Sequence, residues 1–356
     1  MIKKDRHMVK PYLVTRSLFP ENQESPIHFL KDSIIHPRHF YRRNHYPYPD
    51  LPPKTYLLSV EGSVLRPLTL SYEELCQLPA KTIKVVLECS GNKRTSFHPK
   101  VFGEQWEEGA MNQSYWKGVS LQTLFTYTGL SQRAQEVVFV GYDYGERKDL
   151  NETFHFARSL PMTKALHPDT ILAYELNGKP IPFKHGYPLR LIAPQWYAMA
   201  SVKWVKKIVV IEETFHGPFQ KIDYVYYPDK DSNAQSYPVT TMHVNSTIQQ
   251  PLDHSILKRG THDIQGIAWT GEGTIEKVEI SLDQGKTWKS ASFEQNPTEP
   301  YTWVSWSLYW TANQKGEYSI WSRASDSMGR TQPYEPFWNR KGYGYNAICK
   351  VDVKVE

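Results

Sequence analysis

Between residues 83 and 89 apolar side chains fall on alternate positions: Ile83, Val85, Leu87 and Cys89 share one face, Lys84 and Glu88 the other. A two-residue period is that of a strand. Ser90-Gly91-Asn92 follows with turn chemistry and breaks it. Upstream, residues 57–64 alternate as a further strand. Ser71-x-x-Glu74 has the spacing of a capping box and opens a short helix that stops at Pro79. Downstream, the pattern predicts a helix over 119–127 closed by Gly129, then strands over 137–140, 171–175, 189–193 and 208–211, with a turn at Asn177-Gly178. Short helices scattered among strands, without regular strand–helix alternation, predict an α+β fold and not a doubly wound sheet.

The texture changes twice along the chain. The first fifty or so residues are rich in Pro and His and lack periodicity, so they are expected to wrap a surface. Residues 215–244 loosen into Tyr, Pro and Asp, as an inter-domain connection would. Beyond them, strands are predicted over 267–269, 275–282, 303–310, 318–324 and 347–355, spaced by turns such as Asp283-Gln284-Gly285. In the last strand Cys349, Val351, Val353 and Val355 share a face opposite Lys350, Asp352 and Lys354. This spacing predicts an all-β sandwich of about 100 residues. The expected division is therefore 1–235, with 1–35 as an extension, and 236–356.

A chain of 356 residues can hold two cores of ordinary size. Three scattered cysteines, Cys76, Cys89 and Cys349, exclude a disulfide framework or a zinc ribbon and fit a reducing compartment. The first residues carry cations but no apolar run, and Arg42-Arg43 lies too deep to head an export signal. Neither secretion nor a membrane span is read from them, and the cytoplasm is the expected compartment. A net charge of +5 spread without a polybasic block gives no indication of nucleic acid.

Candidate chemistry lies in a few clusters, each with a plainer reading beside it. Cys89 at a strand end, followed by Lys93 and Arg94, suits a metal and an anion together, although a lone cysteine is more often a small core hydrophobe. Tyr41-Arg42-Arg43-Asn44-His45 packs two guanidiniums and an imidazole, or else forms a solvated basic loop. His36, His39 and His45 match no zinc spacing. Trp106-x-x-Gly109-Ala110 reads equally as a core aromatic at a turn. His185-Gly186-Tyr187-Pro188-Leu189-Arg190 runs into an apolar strand, where a charged Arg is costly unless paired or facing an anion. Ser201-Val202-Lys203-Trp204 adds a hydroxyl and an ammonium. Together with the guanidinium these are the groups a phosphate needs, yet no dinucleotide fingerprint or P-loop is present.

Taken in order, these segments resemble the sulfite oxidase family of molybdopterin-dependent oxidoreductases, in its haem-free, bacterial-type form. The resemblance rests on Arg43-Asn44-His45, Cys89-x-Gly91-Asn92-x-Arg94, Trp106-x-x-Gly109-Ala110, His185-Gly186-x-Pro188-x-Arg190, Ser201-x-Lys203-Trp204 and Asp223-Tyr224. It continues through 278–288, Arg323-Ala324-x-Asp326 and Trp338-Asn339, and so covers nearly the whole chain from about residue 36. The resemblance implies a mixed α/β molybdopterin domain followed by an immunoglobulin-like dimerisation domain, and hence a homodimer. It implies molybdenum held by a molybdopterin dithiolene and by one protein thiolate, Cys89, kept deprotonated by the neighbouring cations. Tyr41, Arg43, Asn44, His45, Lys93, Asp143, His185, Arg190, Ser201, Val202 and Lys203 would serve the cofactor. Arg43, Arg94, Trp106 and Tyr224, with Arg340 and Lys341 from the second domain, would bind the substrate. Cys89, Tyr224, Arg94 and Arg43 would carry the reaction, oxidation of sulfite to sulfate by oxygen-atom transfer.

Three positions depart from the family pattern. Lys341 stands where sulfite-binding relatives carry an arginine, Ala200 where relatives often have one, and Lys93 sits beside the matched Arg94. Lysine keeps the charge at 341 but not the planar fork. The chain has no C-x-x-C-H and no haem domain to accompany it, so electrons are expected to leave to a separate acceptor. The alternatives are a reductase of the same fold acting on nitrate or a sulfoxide, a non-enzymatic anion- or cofactor-binding protein, and a Cys89 nucleophile.

Overall fold

The computed structural model describes residues 13–51, 56–294 and 299–356. The N-terminal stretch 1–12, on which the absence of an export signal was read, lies outside the described residues. Among those described, no helix is long and apolar enough to cross a membrane.

The first region is built on two sheets. In one, Ala80–Glu88 pairs antiparallel with Met111–Ser120, which pairs with Ile171–Leu176; Arg190–Ile192 also pairs with Ile171–Leu176. In the other, Leu57–Gly62 lies between Leu68–Ser71 and Val205–Ile211, and Glu136–Arg147 and Glu152–Pro161 complete the order. Val86, Leu121, Leu124, Phe139, Leu172 and Ile208 belong to the main core of this region.

Local rules account for the helices. Ser71 caps Tyr72–Gln77 in the capping box expected of it, with Glu74 returning its carboxylate to the Ser71 amide at 2.8 Å. The predicted helix over 119–127 starts later: Met111–Ser120 runs as strand through Val119, and Leu121–Thr128 is capped by Ser120 and closed by Gly129 at φ +63°. The strand Glu152–Pro161, absent from the pattern reading, has six of its ten positions exposed or only partly buried and no clean alternation.

The second region is a sandwich. One sheet orders Asn245–Gln250, Gly260–Trp269, Val304–Ala312 and Ser292–Phe293; the other orders Ser255–Leu257, Cys349–Val355, Gly316–Asp326, Ile275–Ser281 and Lys289–Ser290. The last long strand alternates buried and exposed residues as the sequence implied, with Cys349, Val351, Val353 and Val355 inward among Ile264, Val278, Trp306 and Ile320.

Two expectations are altered. The segment 215–244 is more than a connection, because Phe219 is fully buried in the main core and Tyr224 enters the site described below. The supposedly polar face of Ala80–Glu88 is covered by the second region. Glu88 is 2% exposed and accepts the Trp269 indole N–H at 2.8 Å, while the Val86 amide donates to the Tyr301 carbonyl at 2.8 Å. A strand buried on both faces loses the alternation that a one-sided strand displays.

Candidate active site

The stretch after Ala80–Glu88 folds back on itself. Lys93 adopts φ +61°, and a short 3-10 turn over Arg94–Ser96 follows. Gly91 permits this turn to close, since a Cβ there would lie 2.6 Å from the Arg94 guanidinium. Cys89 is thereby buried in one apolar cluster with Trp106, Tyr41 and Phe40. The second region clamps the turn from outside. Gly344 donates to the Ser90 carbonyl at 2.7 Å, Lys93 Nζ donates to Asn245 Oδ1 and the Ser246 carbonyl at 2.8 Å each, and Arg94 Nε donates to the carbonyls of Lys341 and Gly342 at 3.2 Å.

Cys89 opens onto a cavity that is continuous with solvent. Ten of the sequence-predicted residues line it: Tyr41, Arg43, His45, Cys89, Asp143, His185, Arg190, Ser201, Lys203 and Tyr224. These come from six separate stretches of the chain. Gly186, at φ +114°, lets the His185 loop lie against Lys203; a Cβ there would approach the Lys203 Cβ to 3.2 Å.

One side of the cavity suits a polar, phosphorylated group. Lys203 lies 4.0 Å from the Trp204 ring centroid and donates to Asn44 Oδ1, while burial pushes its ammonium pKa well down despite the nearby Asp143. Asp143 is 4% exposed, its Oδ1 has no partner, and burial lifts its carboxyl to about 7 against the pull of Lys203. Arg190 is buried over Trp116; Nη1 donates to the His185 carbonyl at 3.1 Å, Nε has no partner, and burial pushes its pKa down to about 10. His185 is held neutral by burial and by Arg190. The Ser201 hydroxyl accepts from the Ala193 amide at 3.1 Å and retains its own proton to donate. Orphaned donors and an orphaned acceptor in one buried wall fit a ligand that carries both kinds of group, such as a pterin with its phosphate.

The other side suits a small anion. Arg43 lines the cavity with Tyr224, and Arg94 lies close behind; both cations pull the Cys89 thiol down, but burial outweighs them and raises it. The cations therefore do not by themselves keep this sulfur deprotonated, contrary to the expectation from the resemblance, and a bound metal would have to. Tyr224 adopts φ +57°, and its hydroxyl lies 2.6 Å from His45 Nε2. His45 stacks on Phe156, packs at a tilt against Phe219 and is kept neutral by burial and by Arg43.

Several expected residues lie elsewhere. Arg340 turns outward, over the Tyr227 ring at 4.1 Å and toward the Lys230 carbonyl, so it is not in the anion pocket. Lys93 points into the seam between the regions and away from the cofactor side. Lys341 pairs with Asp223 at 3.1 Å, and Asp223 also holds Arg147 at 2.8 Å. Val202 is buried behind the wall, its carbonyl accepting from Leu191, and Asn44 reaches the cavity through Lys203 and through Arg43, which donates to its carbonyl. Trp106 is fully buried beside Cys89, with an indole N–H that has no partner. Conversely, Arg42, Phe156, Lys184, Ala198 and Met199 line the cavity without having been singled out for it. Arg42 and Lys184 were visible as neighbours of Arg43 and His185, whereas Phe156 carried no signal. Among the described residues no cluster of three or more His, Cys, Asp or Glu is placed to hold a metal, so an ion at Cys89 would need its other ligands from a cofactor.

Fold and site together define a molybdopterin-binding oxidoreductase. Residues 45–219 match the family description "Oxidoreductase molybdopterin binding domain", and residues 236–356 match "Mo-co oxidoreductase dimerisation domain". Mitochondrial sulfite oxidase of Rattus norvegicus is 34% identical over 369 residues, covering 98% of this chain and 66% of its own length. Sulfite oxidase of Arabidopsis thaliana is 31% identical, covering 93% of this chain and 91% of its own. The crystal structure of the sulfane dehydrogenase SoxCD from Paracoccus pantotrophus superposes with a TM-score of 0.81 at 25% identity, covering 98% of this chain and 92% of that one. The chain belongs to the sulfite oxidase family. It spans about two thirds of the length of its mammalian relatives.

Proposed function

We propose that the protein binds molybdenum-molybdopterin without haem and oxidises sulfite to sulfate, passing the electrons to a separate acceptor. The observation that carries this reading is the cavity shared by Cys89, Arg43 and Tyr224, with Arg94 behind, because it joins a metal-binding sulfur to an anion-binding wall. Molybdenum in such a cofactor supplies two-electron oxygen-atom transfer chemistry when bound. The chain's own residues bind and orient. Cys89 would be the metal's protein ligand, soft enough for it. Lys203, Asp143, His185, Arg190 and Ser201 would hold the pterin and its phosphate, with Tyr41 and Asn44 supporting them. Arg43 and Arg94 would hold two oxygens of the small oxyanion, and Tyr224 would donate a further hydrogen bond. The His45–Tyr224 contact at 2.6 Å orients that hydroxyl. Trp106 would close the pocket and exclude water.

We further propose that the chain divides at 235/236, and that the second region pairs two chains as a homodimer in the cytoplasm. A second reading is reduction of nitrate or a sulfoxide on the same site; the charge kept at Lys341 leans toward sulfite, but its ammonium is engaged by Asp223 at 3.1 Å. Steady-state assays of the molybdenum-loaded protein with sulfite, nitrate and a sulfoxide test the choice. Turnover of sulfite with a dye acceptor supports the first reading, and turnover only of nitrate or a sulfoxide with a reduced dye replaces it with the second.

A further inference from the structure

Arg158 belongs to no motif of the sequence, yet it is 1% exposed. Two residues along its strand from Phe156, which lines the cavity, it projects on the same side toward the site. Its guanidinium lies 5.4 Å from the Tyr224 ring centroid, and Nη1 donates to the Phe219 carbonyl. Nε has no partner, and no carboxylate among the described residues forms an ion pair with this side chain. Burial pushes its pKa down to about 10, the mark of a charge taken from water without full compensation. A fold optimised only for stability would place an apolar side chain there.

What Arg158 faces explains its retention. Tyr224 lies between the short helix Pro218–Lys221 and the two-residue strand Val225–Tyr226, at a left-handed φ, so little regular structure fixes it. Its ring is held by side chains alone. Tyr343 stacks against it with centroids 5.4 Å apart, and Arg94 lies 5.2 Å from the Tyr343 centroid. Arg158, Tyr224, Tyr343 and Arg94 thus form a continuous contact chain with a guanidinium at each end, joining the first region to the second. A desolvated cation over a tyrosine face is among the stronger aromatic contacts.

We infer that Arg158 is a positioning residue, which presses Tyr224 into register with Tyr343 so that its hydroxyl and Arg94 face the anion together. This rests on the functional reading above. The test uses the full-length, cofactor-loaded protein and its Arg158→Met and Arg158→Lys variants, with sulfate affinity measured by calorimetry, melting temperature, and crystal structures. Arg158→Met is expected to weaken sulfate binding about tenfold and to release Tyr224 from Tyr343, with a melting temperature no lower than that of the parent. Arg158→Lys, which keeps the charge, is expected to recover most of the affinity. Sulfate affinity within twofold of the parent in Arg158→Met, with Tyr224 unmoved, overturns the inference. So does a lowered melting temperature with Arg158→Lys as weak as Arg158→Met, which is the behaviour of a merely structural residue. If the parent protein neither binds sulfate nor turns over sulfite, the functional reading fails instead, and the position of Tyr224 in the Arg158→Met crystal still decides the role of Arg158.

Discussion

The Tyr224 hydroxyl lies 2.6 Å from Nε2 of a His45 that burial and the adjacent Arg43 keep neutral. Both groups keep their own protons, and which one donates across the contact is set by the imidazole tautomer. Tyr224→Phe removes the hydroxyl and keeps the ring on Tyr343. Turnover is expected to fall by about 10- to 100-fold with an unchanged melting temperature, as measured by steady-state kinetics and thermal denaturation. Full turnover in Tyr224→Phe would remove the hydroxyl from the mechanism.

Cys89→Ser replaces the thiol with a group of similar volume in a largely apolar cluster. The buried hydroxyl costs on the order of 1 kcal/mol, too little to unfold the chain. Circular dichroism should match the parent while sulfite turnover disappears. Retained turnover would show that Cys89 is a core residue after all.

Arg94→Gln removes a charge next to the cavity, along with the donors that reach Lys341, Gly342 and Glu104. Its main effect should be on KM for the anion, by about tenfold or more, with a smaller effect on kcat. An unaltered KM would place anion binding elsewhere.

Lys203→Met and Asp143→Asn each remove one of two buried groups that act on each other electrostatically in the cofactor-side wall. Both should lower the pterin content of the purified protein, read as fluorescence of the released pterin, by about tenfold at limiting cofactor. Parent-like pterin content in both variants would count against this wall as the cofactor side.

Burial raises the Glu88 carboxyl to about 7 despite its hydrogen bonds from Trp269 and Asn92. A carboxyl with a raised folded-state pKa keeps its proton when the unfolded chain has already lost it. Glu88 therefore destabilises the fold progressively as pH rises from about 4.5 to about 7, and the deficit stays constant above that. Relative to Glu88→Gln, the parent protein should lose about 3 kcal/mol of stability between pH 4.5 and pH 8. Denaturant unfolding of both proteins across that range measures it, and a difference independent of pH would contradict the assignment.

Much of this was legible in the chain because local rules decide it. The capping box at Ser71 and Glu74 and the alternation of Cys349–Val355 were both realised. Ten named residues line one cavity, eight of them from the ordered motifs. What escaped was set by tertiary contacts. Glu88 could be placed only on the face opposite Cys89, because nothing local reveals Trp269 above it. Lys93 was assigned to the cofactor by adjacency to Arg94, but its left-handed backbone aims it at Asn245. Arg340 is next to Lys341 in sequence and faces the opposite way, over Tyr227. Arg158 was hidden because a single cation in a half-exposed strand has no pattern to distinguish it from surface.

The central claim is that Cys89 would hold a molybdenum cofactor beside an anion pocket formed by Arg43, Arg94 and Tyr224, where two-electron oxidation of a small oxyanion would be supplied by that cofactor. The most direct measurement mixes the purified, molybdenum-loaded protein with sulfite under anaerobic conditions and follows the oxidised metal's absorption. The account predicts stoichiometric bleaching with formation of sulfate. An absorption spectrum unchanged by sulfite would contradict it.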